Sequence, residues 1–495
     1  MSSTSPAQPR PVRTLVPARM DRLPWTRFHW LVVLGLGVAW ILDGLEIQIV
    51  SLMGPVWTDA SSLHMTTAQV GWVASVYLAG EVVGALFFGR ITDMLGRKRL
   101  FILTLAIYLF GSGIAGFSPN LWFLLVFRFI AGLGIGGEYT AINSAIDELI
   151  PSRFRGRVDI AVNGTYWGGA LIGAAASLAL LDANLIPANW GWRIGFFIGP
   201  VLGLFIIYIR RTLPESPRWL MTHGREEEAE RTVDEIEARV QQQGVQLQPV
   251  PESRSIEIRT RGVASYWEIA RTMFRDYPSR SFLGFSMMVT QAFLYNAIFF
   301  TYALVLANFY HIGKAAIGIY FFPFAIGNLL GPLVLGPLFD TVGRRTMIAS
   351  TYIGSAILLA ISAMLFNAGV LNATTQTILW SVIFFFASAG ASSAYLTVSE
   401  IFPLELRGQA ISFFFAISQL AGGVAAPSIF SALVGTGTNT GPLTIGYFVG
   451  ATVMFLGGVI AWFFGVNAER KSLEDIATPL AAVSTPSRVS PESAV

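Results

Sequence analysis

The chain has 495 residues, of which 53% are hydrophobic and 13% charged, and its formal net charge is +3. Soluble proteins carry about 25% charged residues, so this composition excludes an ordinary soluble enzyme and predicts a membrane protein. The basic residues are scattered in short loops, which argues against nucleic acid as a partner. Cysteine is absent, so disulfides and thiolate metal sites are excluded, and we expect no metal or cofactor.

Apolar runs long enough to cross a bilayer recur along the chain. A crossing helix needs about 20 mostly apolar residues. By this rule we predict an all-α membrane protein with twelve spans, at residues 30–52, 68–89, 99–117, 120–142, 158–181, 192–210, 280–307, 315–337, 346–367, 376–398, 408–432 and 442–465.

These spans divide evenly into two six-helix bundles. We predict an N-terminal arm at 1–29, bundles at 30–210 and 280–465, a central loop at 211–279 and a tail at 466–495. Residues 1–25 and 477–495 are rich in Ser, Thr and Pro, and we expect them to be disordered. In the central loop we predict a surface helix over Glu226–Val240, a flexible linker over 244–262 and an amphipathic helix over 263–275.

The basic residues predict the orientation. If both termini lie in the cytoplasm, all of the 33 Lys and Arg except Arg128, Arg193 and Lys314 fall on that side. An excess of Lys and Arg marks the cytoplasmic side of a membrane protein. We therefore expect a multi-pass protein of a bacterial inner membrane, in contact with the lipid bilayer and monomeric.

Two pairs of charged motifs repeat in step. Gly89–Lys98 and Gly336–Arg345 both read G-x-x-x-D-x-x-G-R-[KR]. Glu148–Gly156 and Glu400–Gly408 both read E-x-x-P-x-x-x-R-G. The repeats indicate a duplicated protein with parallel halves, as in many secondary transporters.

Together with Arg128–Gly136 (R-x-x-x-G-x-G-x-G) and Pro214–Arg218 (P-E-S-P-R), these motifs resemble the major facilitator superfamily over about residues 28–476. The resemblance is to the branch that holds sugar porters, organic-ion carriers and metabolite:proton symporters. It implies that charged residues close the cytoplasmic side in the outward-facing state; the alternative is that they only set orientation. The implied gate consists of Asp93, Arg97, Glu148, Arg155, Glu215, Asp340, Arg344, Glu400, Arg407 and Glu474.

Ionisable residues within the spans are candidates for proton coupling, because a charge in hydrocarbon is costly. A rise of about 1.5 Å per residue brings Glu46 in the first span and Arg128 in the fourth to similar depths, so the two can pair. The first span also resembles that of proton-coupled sugar porters, which implies that Glu46 takes the proton. Asp43 is the alternative proton carrier. The other interpretation is that the Glu46–Arg128 pair only holds the first and fourth spans together. Glu81 and Glu138 are expected to hydrogen-bond between helices.

Polar and aromatic residues predict a central substrate cavity. The seventh span is similar to the sugar-porter Q-Q-x-x-G-x-N-x-x-x-Y-Y stretch, but Thr290, Leu294 and Phe299–Phe300 depart from it, which argues against a hexose. Aromatic walls with a few amides suit a small metabolite. The predicted lining is Asn163, Tyr166, Trp167, Gln291, Tyr295, Asn296, Tyr395 and Gln419.

The sequence thus predicts proton-coupled uptake of a small molecule. We favour an organic acid, with sugars second and organic cations third. A proton-antiport exporter is the nearest alternative mechanism. A membrane nutrient sensor that binds without transport and a membrane enzyme are alternatives from other classes, but no nucleophile–base or metal constellation supports an enzyme.

Overall fold

A computed structural model describes residues 12–57, 62–180, 185–258, 266–312, 314–403, 406–434 and 437–480. Residues 1–11 and 481–495, for which we expected disorder, lie outside the described part. In the other described segments the chain is built from long helices, and two short strands pair near one face of the molecule.

The first half begins with strand β1 (Val12–Thr14) and a short helix, α1 (Val16–Asp21). Six long helices follow: α2 (Arg27–Trp57), α3 (Thr67–Leu95), α4 (Arg97–Ala115), α5 (Leu121–Leu149), α6 (Ser152–Leu180) and α7 (Ala188–Arg211). Polar caps fix several of their starts. The Thr66 side chain and Gln69 form a capping box at α3, and Asn120 accepts a hydrogen bond from the backbone N–H of Phe123 at 3.0 Å, which satisfies N–H groups that have no helical partner.

The central segment holds helices α8 (Pro217–Thr222) and α9 (Glu226–Gln241), a 3₁₀ turn (Glu252–Arg254), strand β2 (Ile256–Ile258), helix α10 (Tyr266–Arg271) and a π-helical turn (Thr272–Asp276). The linker expected over 244–262 therefore contains a turn and a strand. Strand β2 pairs antiparallel with β1, with Val12 opposite Ile258 and Thr14 opposite Ile256.

The expected disorder of the arm is wrong for residues 12–25, because carboxylates on α9 bind it. Arg19 lies 2.7 Å from Glu230, 2.6 Å from Asp234 and 2.8 Å from Glu237. These acidic residues stand three to four positions apart and so share one face of α9. The sequence of the arm has no periodic pattern that predicts its contact with α9.

The second half repeats the arrangement of the first. Its helices are α11 (Pro278–Asn308), α12 (Lys314–Thr341), α13 (Arg344–Asn367), α14 (Ala373–Ile401), α15 (Arg407–Ser418), α16 (Ala426–Val434), which follows a π-helical turn (Gln419–Ala425), α17 (Gly441–Phe464) and α18 (Leu473–Ile476). Helix α3 packs on α5 as α12 packs on α14, and α4 packs on α7 as α13 packs on α17. The halves meet where α6 contacts α12 and α3 contacts α15.

Ten of the described helices are long and apolar enough to cross a membrane. The two predicted spans that are not among the ten, 158–181 and 408–432, are nevertheless helical. Helix α6 is less apolar because Asn163, Tyr166, Trp167 and several glycines occupy its middle. The second of these spans is divided by the π-helical turn into α15 and α16.

Glycines allow the helices of the first half to touch backbone to backbone. A methyl group added at Gly132 of α5 would overlap the carbonyl oxygen of Tyr77 in α3, and one at Gly136 would overlap that of Glu81. Small residues permit such close contacts between membrane helices. The motif glycines Gly96 and Gly343 have a different role: each has a positive φ, 90° and 117°, at the sharp turn between two long helices, a conformation that favours glycine.

We call the end of the bundle that carries residues 12–26, 212–258, 266–277 and 465–480 the charged face. Both the arm and the tail lie there, since Arg218 of α8 forms ion pairs with Asp21 and with Glu474.

Candidate functional site

A cavity of about 220 Å³ lies between the two halves. Helices α2, α3, α5 and α6 form one side of it, and α11, α14, α15 and the π-helical turn of the second half form the other. All eight residues predicted to line a substrate cavity do so: Asn163, Tyr166, Trp167, Gln291, Tyr295, Asn296, Tyr395 and Gln419. The lining also includes Trp40, Asp43, Tyr77, Glu81, Arg128, Tyr139, Ser388, Ser392 and Phe415.

Aromatic rings wall the cavity on two sides. Trp40 stacks on Tyr139 with ring centroids 4.3 Å apart, and Trp40 meets the edge of Tyr395 from the other half at 5.8 Å. On the other side, Trp167 contacts Phe299 at 5.7 Å and Phe324 at 5.6 Å. Flat ring walls of this kind suit a planar solute. Sequence reasoning missed Trp40 and Tyr139, for which no motif gave a signal.

Some of the predicted polar residues are engaged within the protein. The Asn163 amide donates to the Asn143 side chain at 3.1 Å, and the Asn296 amide donates to the carbonyl of Ala292 at 2.8 Å. The Tyr295 hydroxyl donates to the side-chain oxygen of Asn328 at 2.7 Å. These bonds fix the orientation of the polar groups around the cavity.

The predicted pair between Glu46 and Arg128 is present. Glu46 Oε1 accepts from Arg128 Nη1, and Glu46 Oε2 accepts from the Ser112 hydroxyl at 2.9 Å. The Arg128 guanidinium also lies over the Tyr77 ring, 3.9 Å from its centroid. Both charged groups are buried. The additional contacts with Ser112 and Tyr77 stabilise the ion pair where water is excluded.

Asp43 lines the cavity together with Arg128. Its two oxygens accept hydrogen bonds from the hydroxyls of Tyr77, at 2.8 Å, and Tyr139. Asp43 itself lines the cavity, whereas Glu46 lies behind it. The two carboxyl groups expected to bond between helices do so: Glu138 pairs with Arg210 of α7, and Glu81, which also lines the cavity, accepts from the Gln419 amide at 3.5 Å.

At the charged face, the repeated motifs form matching ion pairs within each half. Arg97 lies 2.8 Å from Glu148 in the first half, and Arg344 lies 3.0 Å from Glu400 in the second. Arg344 also binds Asp340 at 2.8 Å. The Asp93 side chain, which is the counterpart of Asp340, lies outside the described part of the structure.

A second set of ion pairs joins the two halves. Arg155 lies 3.6 Å from Glu400, and Arg407 lies 3.7 Å from Glu148. Asp340 accepts from the backbone N–H of Gly156 at 3.1 Å and from Arg157 Nε at 3.0 Å. We call the six groups Glu148, Arg155, Arg157, Asp340, Glu400 and Arg407 the cross-half latch. It closes the charged face below the cavity.

The two remaining gate residues act differently from each other. Glu215 accepts from the backbone N–H of Arg97 at 2.9 Å and so caps α4. Burial raises the pKa of the Glu215 carboxyl above its ordinary value, while the N–H groups of Ser216 and Arg97 partly offset this. The matching cap in the second half is Glu469, whose Oε2 accepts from the Arg344 N–H at 3.3 Å. Sequence reasoning had placed Glu474 in that position.

Glu474 instead binds Arg218, at 3.0 Å. Burial raises the pKa of Glu474, but the Arg218 guanidinium outweighs it and holds that pKa below the ordinary value. Sequence reasoning also missed Asp21, which lies 3.2 Å from Arg218 and 3.7 Å from Arg155. Arg157, two residues beyond the recognised Arg155, could have been found from its place beside the motif.

Comparison with known proteins identifies the family of the chain. The sequence profile of the family described as sugar (and other) transporter matches residues 44–480. The putative metabolite transport protein YdjK of Escherichia coli is 30% identical over 93% of this chain and 97% of its own length. The niacin transporter NiaP of Acinetobacter baylyi is 28% identical over 83% of this chain and 89% of its own.

The fold matches a solved structure as well. The major facilitator superfamily proton:xylose symporter XylE, bound to 6-bromo-6-deoxy-D-glucose, superposes with a TM-score of 0.74 at 19% identity, covering 91% of this chain and 98% of that one. The fold predicted from the repeats, two six-helix halves of the major facilitator type, is confirmed. The chain belongs to the sugar (and other) transporter family of the major facilitator superfamily, and it is a membrane transporter and not an enzyme.

Proposed function

We propose that the protein takes up a small organic acid together with a proton by alternating access. The observation that carries this proposal is the buried Glu46–Arg128 pair, whose arginine lines a cavity between the two halves. A transporter of this kind exposes such a cavity first to one side of the membrane and then to the other. The cross-half latch closes the charged face, and its ion pairs must separate when that face opens.

Glu46 is the proton carrier in this proposal, and Asp43 is the alternative. Glu46 forms an ion pair with Arg128, and separation of this pair leaves a carboxylate in apolar surroundings. An unpaired buried charge is costly, so the group is neutralised by a proton. Loading and release of the proton then follow the making and breaking of one ion pair.

The cavity supports an aromatic monocarboxylic acid. Trp40, Tyr139 and Trp167 offer flat walls, and NiaP transports niacin, a ring-bearing acid. Arg128 is the cationic residue of the described lining and is paired with Glu46. The cavity therefore offers little positive charge to balance a solute that carries several negative charges. One negative charge and one proton cross together without net charge.

A sugar is the second candidate substrate, favoured by the fold of the xylose symporter XylE. The substitutions Thr290, Leu294 and Phe299–Phe300 in α11 speak against it. The proposed orientation has the charged face in the cytoplasm of a bacterium, as the distribution of Lys and Arg indicates. The proposed working unit is a single chain.

Uptake into proteoliposomes tests this proposal. With the interior at pH 7.5 and the exterior at pH 6.5, labelled nicotinate should accumulate up to about tenfold, since one pH unit is worth a factor of ten for one proton per acid. A membrane potential set with valinomycin should have no effect, and xylose should not accumulate. Protein-free liposomes control for passive entry of the acid. Accumulation that ignores the pH gradient contradicts proton symport, and accumulation of xylose alone contradicts the acid.

A further inference from the structure

The carboxyl group of Glu81 in α3 faces the cavity without a full set of partners. Its side chain is 1% exposed. Oε1 accepts no hydrogen bond from the described residues, and Oε2 has one long contact, 3.5 Å from the amide nitrogen of Gln419. Buried polar atoms in folded proteins are nearly always hydrogen-bonded, so an unsatisfied one requires an explanation.

The other two carboxyl groups near the cavity do not share this property. Asp43 accepts from two tyrosine hydroxyls, and Glu46 accepts from Arg128 and Ser112. Their oxygens are occupied within the protein. Among these three groups, Glu81 is therefore the one that has an oxygen available to a solute.

The neighbour of Glu81 belongs to the other half. Gln419 begins the π-helical turn that separates α15 from α16, and π-helical turns inside α-helices are frequent at functional sites. Glu81 and Gln419 thus meet across the cavity from opposite halves, and both line it. A solute bound between them contacts both halves at once.

We propose that Glu81 binds a hydrogen-bond donor on the substrate, an N–H or O–H group on the ring, and thereby decides which ring-bearing acids the protein accepts. This inference rests on the proposed substrate class. A carboxyl oxygen accepts a hydrogen bond from an N–H or O–H donor, and this bond removes the cost of leaving the oxygen buried and unpaired. An acid without such a donor leaves Glu81 unsatisfied, and the protein discriminates against it.

Matched ligands separate this contact from general binding. Benzoate lacks a ring donor, 3-hydroxybenzoate adds one O–H, and nicotinate carries a ring N–H only in its zwitterionic form, which is the minor species near neutral pH. Binding of the three to purified protein is measured by isothermal titration calorimetry for the wild type, Glu81→Ala, Glu81→Gln and Asp159→Asn. Asp159 is a matched control, because its carboxyl is also buried without a hydrogen-bond donor among the described residues but lies outside the cavity lining.

The wild type should bind 3-hydroxybenzoate at least about tenfold more tightly than benzoate, because benzoate leaves the buried Glu81 oxygen unsatisfied. Glu81→Ala should reduce this ratio to about one while the affinity for benzoate stays unchanged. Glu81→Gln, which keeps the shape, should retain part of the ratio, and Asp159→Asn should retain all of it.

An unchanged ratio in Glu81→Ala overturns the inference, and so does an equal loss of affinity for benzoate and its substituted partners. If the wild type binds xylose and none of the acids, the proposed substrate class is wrong. The same variants then test Glu81 against sugar hydroxyls, and unchanged xylose affinity in Glu81→Ala overturns the inference. Failure of folded wild-type protein to bind any of these ligands contradicts both.

Discussion

Arg155 of α6 and Glu400 of α14 lie 3.6 Å apart in opposite halves of the molecule, and both are almost fully buried. Within each half, the corresponding pairs are shorter: Arg97 and Glu148 are 2.8 Å apart, and Arg344 and Glu400 are 3.0 Å apart. Three of the four ion pairs that join the described halves, at 3.6–3.9 Å, are thus longer than these two pairs within a half. Asp340, which binds Gly156 and Arg157 at hydrogen-bond distance, is the exception.

Arg155→Ala should favour the conformation that is open at the charged face, because it removes a cross-half pair and leaves Glu400 bound within its own half. The chain has no cysteine, so Ser392→Cys in the cavity lining can report access by an impermeant maleimide in inside-out vesicles. A shift of about 1.4 kcal/mol changes the ratio of the two states tenfold. We expect labelling to be faster by about that factor.

The control for this variant is Arg153→Ala. Arg153 donates to the carbonyl of Leu23 at 3.0 Å and forms no ion pair with the described residues, so the labelling rate should not change. Equal labelling in the Arg155→Ala and wild-type backgrounds would show that the latch does not set the resting state.

Gly132→Ala should destabilise the first half, since the added methyl group overlaps the Tyr77 carbonyl oxygen where α5 meets α3. Overpacking of this kind costs about 1–3 kcal/mol. The melting temperature in detergent should fall. Gly354→Ala in α13, where no atom lies within 4 Å of the new methyl group, should leave it unchanged or raise it. A stable Gly132→Ala protein would refute the close backbone contact.

Docking of the arm on α9 should depend on pH through Glu237. Burial raises the pKa of this carboxyl, but hydrogen bonds from Arg19 and Arg22 outweigh burial and lower that pKa below 4.5. A lowered pKa in the docked state means that the carboxylate stabilises docking above pH 4.5 and that this contribution is lost as the pH falls through the lowered value. The exchange protection factors of the β1 amides should therefore drop in acid.

Glu237→Gln should remove this part of the pH dependence and lower protection at neutral pH. Glu228→Gln is the control, because Glu228 binds Arg225 on the exposed side of α9 and not the arm. Protection that stays constant from pH 7 to pH 3 in the wild type would contradict this account of docking.

Several of these features could be predicted from the sequence. The long apolar runs predicted the membrane helices. The repeated motifs contained both members of the Arg344–Glu400 ion pair, because a duplicated pattern shows which charged residues occur together. A count of helical rise was sufficient to pair Glu46 with Arg128. Both inferences use information that is local or repeated.

The contacts that the sequence did not predict join segments more than 100 residues apart that share no repeated motif. Asp21 meets Arg155 and Arg218 only after the arm has docked on α9, and the arm itself carries no periodic signal. Glu81 was expected to bond between helices, and it does approach Gln419 of the other half. The sequence alone could not show that Glu81 lines the cavity with one oxygen unpaired among the described residues.

The most direct test of the account concerns Glu46. In proteoliposomes, Glu46→Gln should abolish accumulation of nicotinate driven by a pH gradient, while counterflow exchange, which needs no net proton movement, continues. Glu138→Gln, which alters a buried carboxyl paired with Arg210 away from the cavity, should retain accumulation as long as the protein folds. Accumulation at the wild-type level in Glu46→Gln would contradict proton coupling through this residue.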